Sequence, residues 1–256
     1  MIVRAVVEGR PVDADARFAL EARYGHFTAM QVRDRRTRGL ALHLERLAAA
    51  SLELFGARLD PAAVLGSIRA VLGDDLRDAG VRVYVVEHDG RPRVVATAAP
   101  PTEVSTRPQR VTAVVFQRYL PHIKKAAGFA QAHLRRTVTP LGFDEALLTT
   151  ADGLISEGAI TNVGCWSGGR LLWPDAPMLH GTAMGLLEGM LAGIDVPQER
   201  RPLKVADLPG FDLVFLCNSH GVVPVGEVDG VPLRQDGATL ARLLSSYDAV
   251  PWDPLD

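Results

Sequence analysis

The first hundred residues mix two spacings of apolar positions, one typical of helices and one typical of strands. Helical spacing is found at residues 40–54, and again from Asp60-Pro61 to residue 72, where proline suits the first turn of a helix. Strand-like runs occupy residues 2–7, 25–32, 81–87, 94–98 and 111–116. The string His88-Asp-Gly-Arg-Pro, between the third and fourth runs, is typical of a hairpin. This part of the sequence predicts a small N-terminal α/β (α+β) domain.

The second half of the chain has shorter strand patterns and more varied connections. Helices are predicted at residues 128–138, 182–192 and 237–245, and strands at 145–149, 162–167, 171–173 and 213–217. This arrangement favours a larger, barrel-like α/β domain over a regularly alternating doubly wound sheet. A polar, proline-bearing segment at residues 117–124 separates the halves, so we expect domains at 1–117 and 118–256.

Composition narrows the classes of function. The 256 residues are 47% hydrophobic and carry a formal net charge of −2, without a basic block that would indicate nucleic-acid binding. No apolar run reaches membrane-spanning length and the start lacks a leader-like apolar segment, which predicts a cytoplasmic protein with small-molecule partners or a second copy of itself. Cys165 and Cys217 lie in apolar strands, where we expect them buried, and His43 and His180 lack metal-ligand spacing, so no metal is expected.

Two features suggest chemistry. Glu157 lies in an apolar, glycine-punctuated stretch, Gly153-Leu-Ile-Ser-Glu157-Gly158-Ala-Ile-Thr-Asn162, where a lone charge needs a partner. A pyridinium nitrogen would be such a partner. The pair Lys124-Lys125 lies some thirty residues earlier and supplies an amine of the kind that condenses with a pyridoxal aldehyde.

Several strings, in this order along the chain, resemble the fold-type IV pyridoxal-phosphate enzymes. They are Tyr24-Gly-His-Phe-Thr28, His43-Leu-Glu-Arg46-Leu47, the Ile123-Lys124 region, the segment from Gly142-Phe-Asp-Glu to Asn162, Leu179-His-Gly181-Thr-Ala, and Cys217-Asn-Ser-His-Gly-Val-Val-Pro224. The resembled family comprises branched-chain and D-amino-acid aminotransferases (class IV) and 4-amino-4-deoxychorismate lyase. The resemblance implies a two-domain fold, pyridoxal 5'-phosphate as cofactor, and a homodimer.

The resemblance implies a lysine that forms an aldimine with the cofactor, at the start of the second domain. Phe129 stands five places after Lys124, which matches the aromatic residue or leucine of the aminotransferase pattern. Gly128 stands three places after Lys125, which favours the other lysine. We choose Lys124 as the catalytic residue and keep Lys125 as the alternative.

The same resemblance assigns the cofactor-binding residues. Glu157, 33 positions after Lys124, is similar to the carboxylate that binds the pyridine nitrogen. Arg46 is similar to the arginine that clamps the phosphate, since its planar fork suits phosphate oxygens. Thr182 and Ala183 open a helix whose free N–H groups could bind the phosphate, although the family commonly has a threonine where Ala183 stands. Ser219 is the remaining hydroxyl donor, with Asn218 as its alternative.

Substrate-side residues are expected from the first domain and from one turn of the second. They are Tyr24, Phe27, Gln31, Arg82, Tyr84, Phe129 and the Asn218–Gly221 turn with His220. Gln31 replaces an arginine, and Phe129 a tyrosine, of many branched-chain enzymes, so carboxylate recognition is not copied from them. Phe27-Thr28 is similar to the lyase string, but Ala29 replaces its second threonine.

The implied activity is transfer of an amino group between an amino acid or amine and a 2-oxo acid, in two half-reactions. Lyase-type elimination of pyruvate from 4-amino-4-deoxychorismate uses the same lysine and glutamate and is the alternative. A third hypothesis is a catalytically silent member of the family that acts as a binding protein.

Overall fold

The computed structural model describes residues 24–255, together with two short strands near the start of the chain. These strands, β1 (Val6–Val7) and β2 (Arg10–Pro11), form an antiparallel ribbon, and the rest of the strand expected at residues 2–7 lies outside the described residues. The chain forms two compact units. The first contains the chain up to Pro101, Lys124–Ala127 and the residues from Pro254 onward, and the second contains Thr102–Ile123 and Gly128–Asp253.

The first unit is built on an antiparallel sheet. Its strands are β3 (Gly25–Arg33), β4 (Arg36–Arg38), β5 (Ala79–His88) and β6 (Arg91–Ala99), in the order β4-β3-β5-β6, with the short strand Trp252–Pro254 beyond β4. Asp89 and Gly90 join β5 to β6 with φ angles of +51° and +70°. Positive φ at both central residues is the geometry of a tight hairpin turn, so the predicted hairpin is confirmed.

Two helices cover one face of this sheet. Helix α1 (Leu40–Phe55) ends at Gly56, whose φ of +62° suits glycine, and α2 (Pro61–Leu72) begins after Asp60, whose side chain accepts a hydrogen bond from the N–H of Ala62 at 2.9 Å. The core of the unit comes from the apolar stripes of both helices and the facing strand residues, which are Met30, Val32, Leu47, Val64, Ile68, Leu72, Val81, Val83 and Val85. Within the described residues, no helix of this unit packs on the other face of the sheet.

The second unit contains a nine-stranded mixed sheet that curls into a half barrel. Its strands are β7 (Gln109–Val115), β8 (Glu145–Thr149), β9 (Ile155–Gly158), β10 (Asn162–Ser167), β11 (Arg170–Pro174), β12 (Gln198–Arg201), β13 (Leu213–Asn218), β14 (Gly221–Val228) and β15 (Val231–Pro232). The order is β12-β11-β10-β13-β14-β7-β8-β9, and β15 pairs with β14. The pairs β11/β12, β14/β7 and β7/β8 are parallel, and the others are antiparallel.

Apolar clusters lie on both faces of this sheet. One contains Leu147, Ile155 and Val163, and the other packs Trp173 and Phe215 of the sheet against two of the helices. The helices of the unit are α3 (Phe129–Val138), α4 (Thr182–Ala192) and α5 (Gly237–Asp248), with 3-10 turns at Thr139–Leu141 and Val205–Gly210. Cys165 and Cys217 are free and buried in these clusters, as expected.

Within residues 24–255 the predicted helices and strands agree with the structure to within a few residues, whereas the compact units divide after Pro101 and not at the expected residue 117. Strand β7 pairs in parallel with β8 and β14, so it belongs to the sheet of the second unit. The apolar pattern did not predict β4, β12, β14, β15 or the strand Trp252–Pro254. None of the helices within residues 24–255 has the length and apolar character needed to cross a membrane.

Candidate active site

Backbone bonds hold the first lysine of the pair against β3. The N–H of Phe27 donates to the carbonyl oxygen of Lys124 at 2.8 Å, and Lys125 forms an isolated antiparallel bridge with His26. The Nζ atom of Lys124 lies 5.0 Å from the centre of the Phe27 ring, within cation–π range. The structure therefore brings two predicted site residues, Lys124 and Phe27, into contact.

Phe27 belongs to the face of the sheet that α1 and α2 leave uncovered, which we call the lysine face. Side chains on this face come from alternate positions of β3 and β5, and they are Phe27, Ala29, Gln31, Arg82 and Tyr84. Phe27 and Tyr84 are stacked with their ring centres 5.2 Å apart, and Arg82 lies directly opposite Ala29. The side chain of Gln31 accepts a hydrogen bond from Arg33 at 3.2 Å. Four predicted substrate residues thus share one surface with the lysine.

Two other predicted aromatic residues have different neighbours. Tyr24 is 52% exposed and contacts Phe55 edge to face, with ring centres 5.7 Å apart. Phe129, the first residue of α3, is 80% exposed and stacks on His133 at 5.7 Å. Neither ring is part of the apolar core of its unit.

The buried side of β3 carries polar groups next to the predicted phosphate arginine. His43, one helical turn before Arg46 on α1, is buried, and its Nδ1 lies 2.6 Å from the hydroxyl oxygen of Thr28. Burial, together with the positive charges of Arg46 and Lys124, lowers the pKa of His43 to about 3. His43 is therefore neutral at physiological pH. The nearby cations Arg46 and Lys124 provide positive charge that suits an anion.

Glu157, the predicted partner of the pyridine nitrogen, is paired with a cation of the second unit. Glu157 is 5% exposed, and Arg118 Nη1 donates to its two oxygens at 3.1 and 3.3 Å. Arg118 Nη2 donates to the carbonyl oxygen of Ile123 at 2.6 Å. A charge buried in a strand is stable only when it is paired and hydrogen-bonded, and Arg118 meets this requirement.

The loop before α4 is tied to the same region. The N–H of Leu179 donates to Glu157 Oε2 at 3.4 Å, and the side-chain amide of Asn162 donates to the carbonyl oxygen of Leu179 at 2.7 Å. Two residues later, Gly181 precedes the first turn of α4, which no described side chain caps. The first N–H groups of a helix have no partner within the helix, so those of Thr182 and Ala183 can bind an anion. The Ala183 side chain packs in the core, which leaves its N–H as the binding group.

The remaining predicted residues form the turn between β13 and β14. The side-chain oxygen of Asn218 accepts from the N–H of His220 at 2.8 Å, and the amide of Asn218 donates to the carbonyl oxygen of Ile160 at 3.4 Å. These bonds engage Asn218 in holding the turn. Ser219, between the two residues, remains the predicted hydroxyl donor.

Arg118 and Asn162 contact predicted site residues or their supporting loop, but the sequence did not predict either in the site. Asn162 ends the string that begins at Glu157, so its position was a usable signal. Arg118 had no comparable signal, since it is an arginine in a polar connection, 39 positions from its carboxylate partner.

Comparison with known proteins supports one family. A family model described as "Amino-transferase class IV" matches residues 25–228. A curated protein of Synechocystis sp. (strain ATCC 27184 / PCC 6803 / Kazusa), named "Probable branched-chain-amino-acid aminotransferase", is 27% identical over 131 residues. The match covers 50% of this chain and 43% of that protein, which is less than half of the relative's length.

Solved structures support the two-domain fold. A hypothetical aminotransferase from Mycobacterium tuberculosis in its PLP-bound form has a TM-score of 0.79 at 20% identity, covering 96% of this chain and 95% of that one. A Legionella pneumophila protein, provisionally named a 4-amino-4-deoxychorismate lyase, has a TM-score of 0.81 at 16% identity, with 91% and 93% covered. At these identities the likeness concerns the fold, which is of fold-type IV.

Proposed function

Because the chain belongs to the class IV aminotransferase family, we propose that it is a pyridoxal-phosphate-dependent aminotransferase. It would transfer an amino group between an amino acid or amine and a 2-oxo acid. The observation that carries this proposal is the buried carboxylate of Glu157, which is hydrogen-bonded to the loop that leads into the first turn of α4.

The side chains fit the cofactor. A carboxylate suits a protonated pyridine nitrogen, and the uncapped N–H groups of Thr182 and Ala183 suit a phosphate. Arg46 adds a planar cation, and Ser219, with Asn218 as the alternative, adds a polar group from the β13–β14 turn. Lys124 supplies the primary amine, with Lys125 as the alternative.

The cofactor, when bound, supplies an aldehyde that combines with amines and a ring that accepts electrons. With the cofactor bound, the amine of Lys124 would take the proton from the substrate Cα as general base and would return it at the cofactor C4′ atom as general acid. Glu157 holds the proton on the pyridine nitrogen, which increases the electron demand of the ring. Water would release the first 2-oxo product, and a second 2-oxo acid would then receive the amino group through the same proton transfers in reverse order.

The lysine face is the proposed substrate surface. The stacked rings of Phe27 and Tyr84 offer an apolar contact beside the Lys124 amine, and the exposed Arg82 offers a cation for a substrate carboxylate. Gln31 offers a neutral amide on the same face. The M. tuberculosis relative has also been solved with alpha-ketoglutarate and PMP, which supports a 2-oxo acid as acceptor here.

Lyase-type elimination is the second candidate, because Phe27-Thr28 matches part of the lyase string. The Thr28 hydroxyl lies against His43 on the helix side of the sheet, and Ala29 gives the lysine face no hydroxyl at the next position. This arrangement favours transamination. Release of pyruvate from 4-amino-4-deoxychorismate without an amino acceptor would favour the lyase instead.

A homodimer is also proposed. Four large apolar side chains of the second unit are at least 70% exposed, and their burial against a second copy of the chain would favour association. They are Val115, Tyr119, Phe129 and Leu141. Light scattering coupled to gel filtration should give twice the mass of one chain, and a monomer at micromolar concentration would contradict the proposal. The proposed cytoplasmic location can be tested separately by cell fractionation.

The function is tested by absorbance spectroscopy of the reconstituted protein. Pyridoxal phosphate should give a visible band that an amino donor removes and a 2-oxo acid restores, as expected for two half-reactions. A donor screen with both enantiomers would identify the substrate. A protein that acquires no band after reconstitution would favour the catalytically silent binding protein over both enzyme hypotheses.

A further inference from the structure

We propose that Arg118 is a positioning residue that fixes the orientation of the Glu157 carboxylate for the pyridine nitrogen. The inference rests on the proposed function, because it concerns the same site. It adds a residue that neither the sequence motifs nor the comparisons assign to the site.

The guanidinium of Arg118 makes contacts with two acceptor groups. Nη1 of Arg118 bonds both oxygens of Glu157, at 3.1 and 3.3 Å, while Nη2 bonds the carbonyl oxygen of Ile123 at 2.6 Å. The side chains of Arg118 and Glu157 are 7% and 6% exposed, so solvent screens the pair little. The carbonyl contact fixes the guanidinium plane, and the plane fixes the carboxylate.

The position of the second contact matters for the site. Ile123 is bonded directly to Lys124 in the chain, and its carbonyl oxygen therefore belongs to the peptide group that precedes the proposed catalytic amine. The side chain of Arg118 is thus hydrogen-bonded both to Glu157 and to the peptide group that precedes Lys124. Positioning of this kind, made before a ligand arrives, reduces the reorganisation that binding requires.

Arginine is required for this arrangement. Its planar fork directs two nitrogens at two acceptors, whereas lysine has a single nitrogen on a flexible stem. Arg118→Lys therefore keeps the positive charge and loses one of the two contacts.

A competing explanation is that Arg118 only balances a buried charge. Removing one member of a buried ion pair destabilises the fold because the other charge is left unpaired. Arg118→Lys separates the explanations, because it retains charge balance and alters orientation. Arg110→Lys is a matched control, since Arg110 also bonds a carboxylate, Glu227, and a carbonyl, that of Gly142, but at the surface of the second unit.

The test uses the full-length protein and three measurements. Thermal unfolding without cofactor reports the fold, titration with pyridoxal phosphate reports affinity, and the ¹⁵N chemical shift of ring-labelled pyridoxal phosphate reports protonation of the pyridine nitrogen. We expect Arg118→Lys to unfold near the wild-type temperature, to weaken affinity on the order of tenfold, and to move the ¹⁵N shift toward that of an unprotonated nitrogen. Arg110→Lys should leave affinity and shift unchanged.

A folded Arg118→Lys protein with wild-type affinity and ¹⁵N shift would overturn the proposal. If Arg118→Lys does not fold, Glu157→Gln is compared with Glu157→Gln/Arg118→Met, in which neither charge remains. There the second substitution should change affinity less than about twofold, since Arg118 acts through Glu157, and a tenfold further loss would overturn the proposal. A wild-type protein that binds no pyridoxal phosphate would instead refute the proposed function, so the two failures are distinguishable.

Discussion

Asn162 donates its side-chain amide to the carbonyl oxygen of Leu179 at 2.7 Å, two residues before the glycine that precedes α4. Asn162 itself is 4% exposed. The N–H of the same Leu179 donates to Glu157. Leu179 is therefore held at both of its backbone polar groups, and the proposed phosphate-binding turn is connected through it to the proposed nitrogen-binding carboxylate.

Asn162→Ala should weaken binding of pyridoxal phosphate more than binding of pyridoxal, which lacks the phosphate. Without the amide, the buried Leu179 carbonyl loses its hydrogen-bond donor, which lowers the free energy of unfolding by about 1–3 kcal/mol. The loop before α4 is then no longer fixed. Fluorescence titration with the two ligands measures the ratio of affinities.

Gln235→Ala is the control for Asn162→Ala. The amide of Gln235 donates to the carbonyl oxygen of Val225, also at 2.7 Å. We expect a loss of stability without a change in the ratio of the two affinities. An equal loss of affinity for both ligands in Asn162→Ala would show that this residue does not act through the phosphate end.

Gly181→Ala should reproduce the effect of Asn162→Ala. A Cβ atom at Gly181 would lie 2.0 Å from the side-chain oxygen of Asn162, so the asparagine must move and its bond to Leu179 breaks. Gly189→Ala is the matched control within α4, because a Cβ atom there meets nothing within 4 Å. We expect Gly189→Ala to gain about 0.5–1 kcal/mol of stability, as alanine is the better helix former.

The losses of stability caused by Gly181→Ala and by Asn162→Ala should not be additive. In the Asn162→Ala background the side-chain oxygen is absent, so Gly181→Ala should cost less than it does in the wild-type protein. Urea unfolding of the four proteins in this cycle measures the coupling. Additive losses would mean that the new methyl group clashes with something other than Asn162.

The sequence predicted the helices and most strands well because their apolar periodicity is long and regular. It did not predict β12, whose residues Gln198–Arg201 are polar and pair at the edge of the sheet, or the placement of β7. Strand order depends on pairing across many positions, for which a single sequence carries no local signal.

The candidate site shows the same limit. Glu157 and Lys124 were identifiable because each lies in a string of residues that the family shares. Arg118 and Leu179 contact Glu157 from 39 and 22 positions away, and neither contact has a sequence pattern. The residues that we propose touch the cofactor could be proposed from sequence strings, whereas the residues that contact them from distant positions could not.

Lys124→Ala should abolish covalent attachment of the cofactor, and Lys125→Ala should retain it. The amine of Lys124 lies over the Phe27 ring on the lysine face, beside the proposed substrate residues. Borohydride reduction of the reconstituted protein, followed by peptide mapping, identifies the lysine that carries the cofactor. Modification of Lys125 in the wild-type protein, or full attachment in Lys124→Ala, would reverse the assignment.

Acid should destabilise the protein through His43. Its pKa falls from the ordinary value of 6.5 to about 3 on burial. Between these values the unfolded chain binds more protons than the folded chain, so stability is present above pH 6.5 and is lost as the pH falls toward 3. The loss is at most about 1.4 kcal/mol per pH unit for one residue. His43→Asn should reduce the slope of unfolding free energy against pH between 6.5 and 4 by up to this amount.

Two other groups titrate in the same range and must be kept constant in that comparison. Burial lowers the pKa of His26 to about 4, which acts in the same direction as His43. Burial raises the pKa of Glu145 from 4.5 to about 7, so the folded chain binds the extra proton between these values, and stability from this group is lost as the pH rises through 7. The difference in slope between wild-type protein and His43→Asn isolates His43, because both proteins retain the other two groups. Equal slopes for the wild-type protein and His43→Asn would show that His43 is not held neutral by the fold.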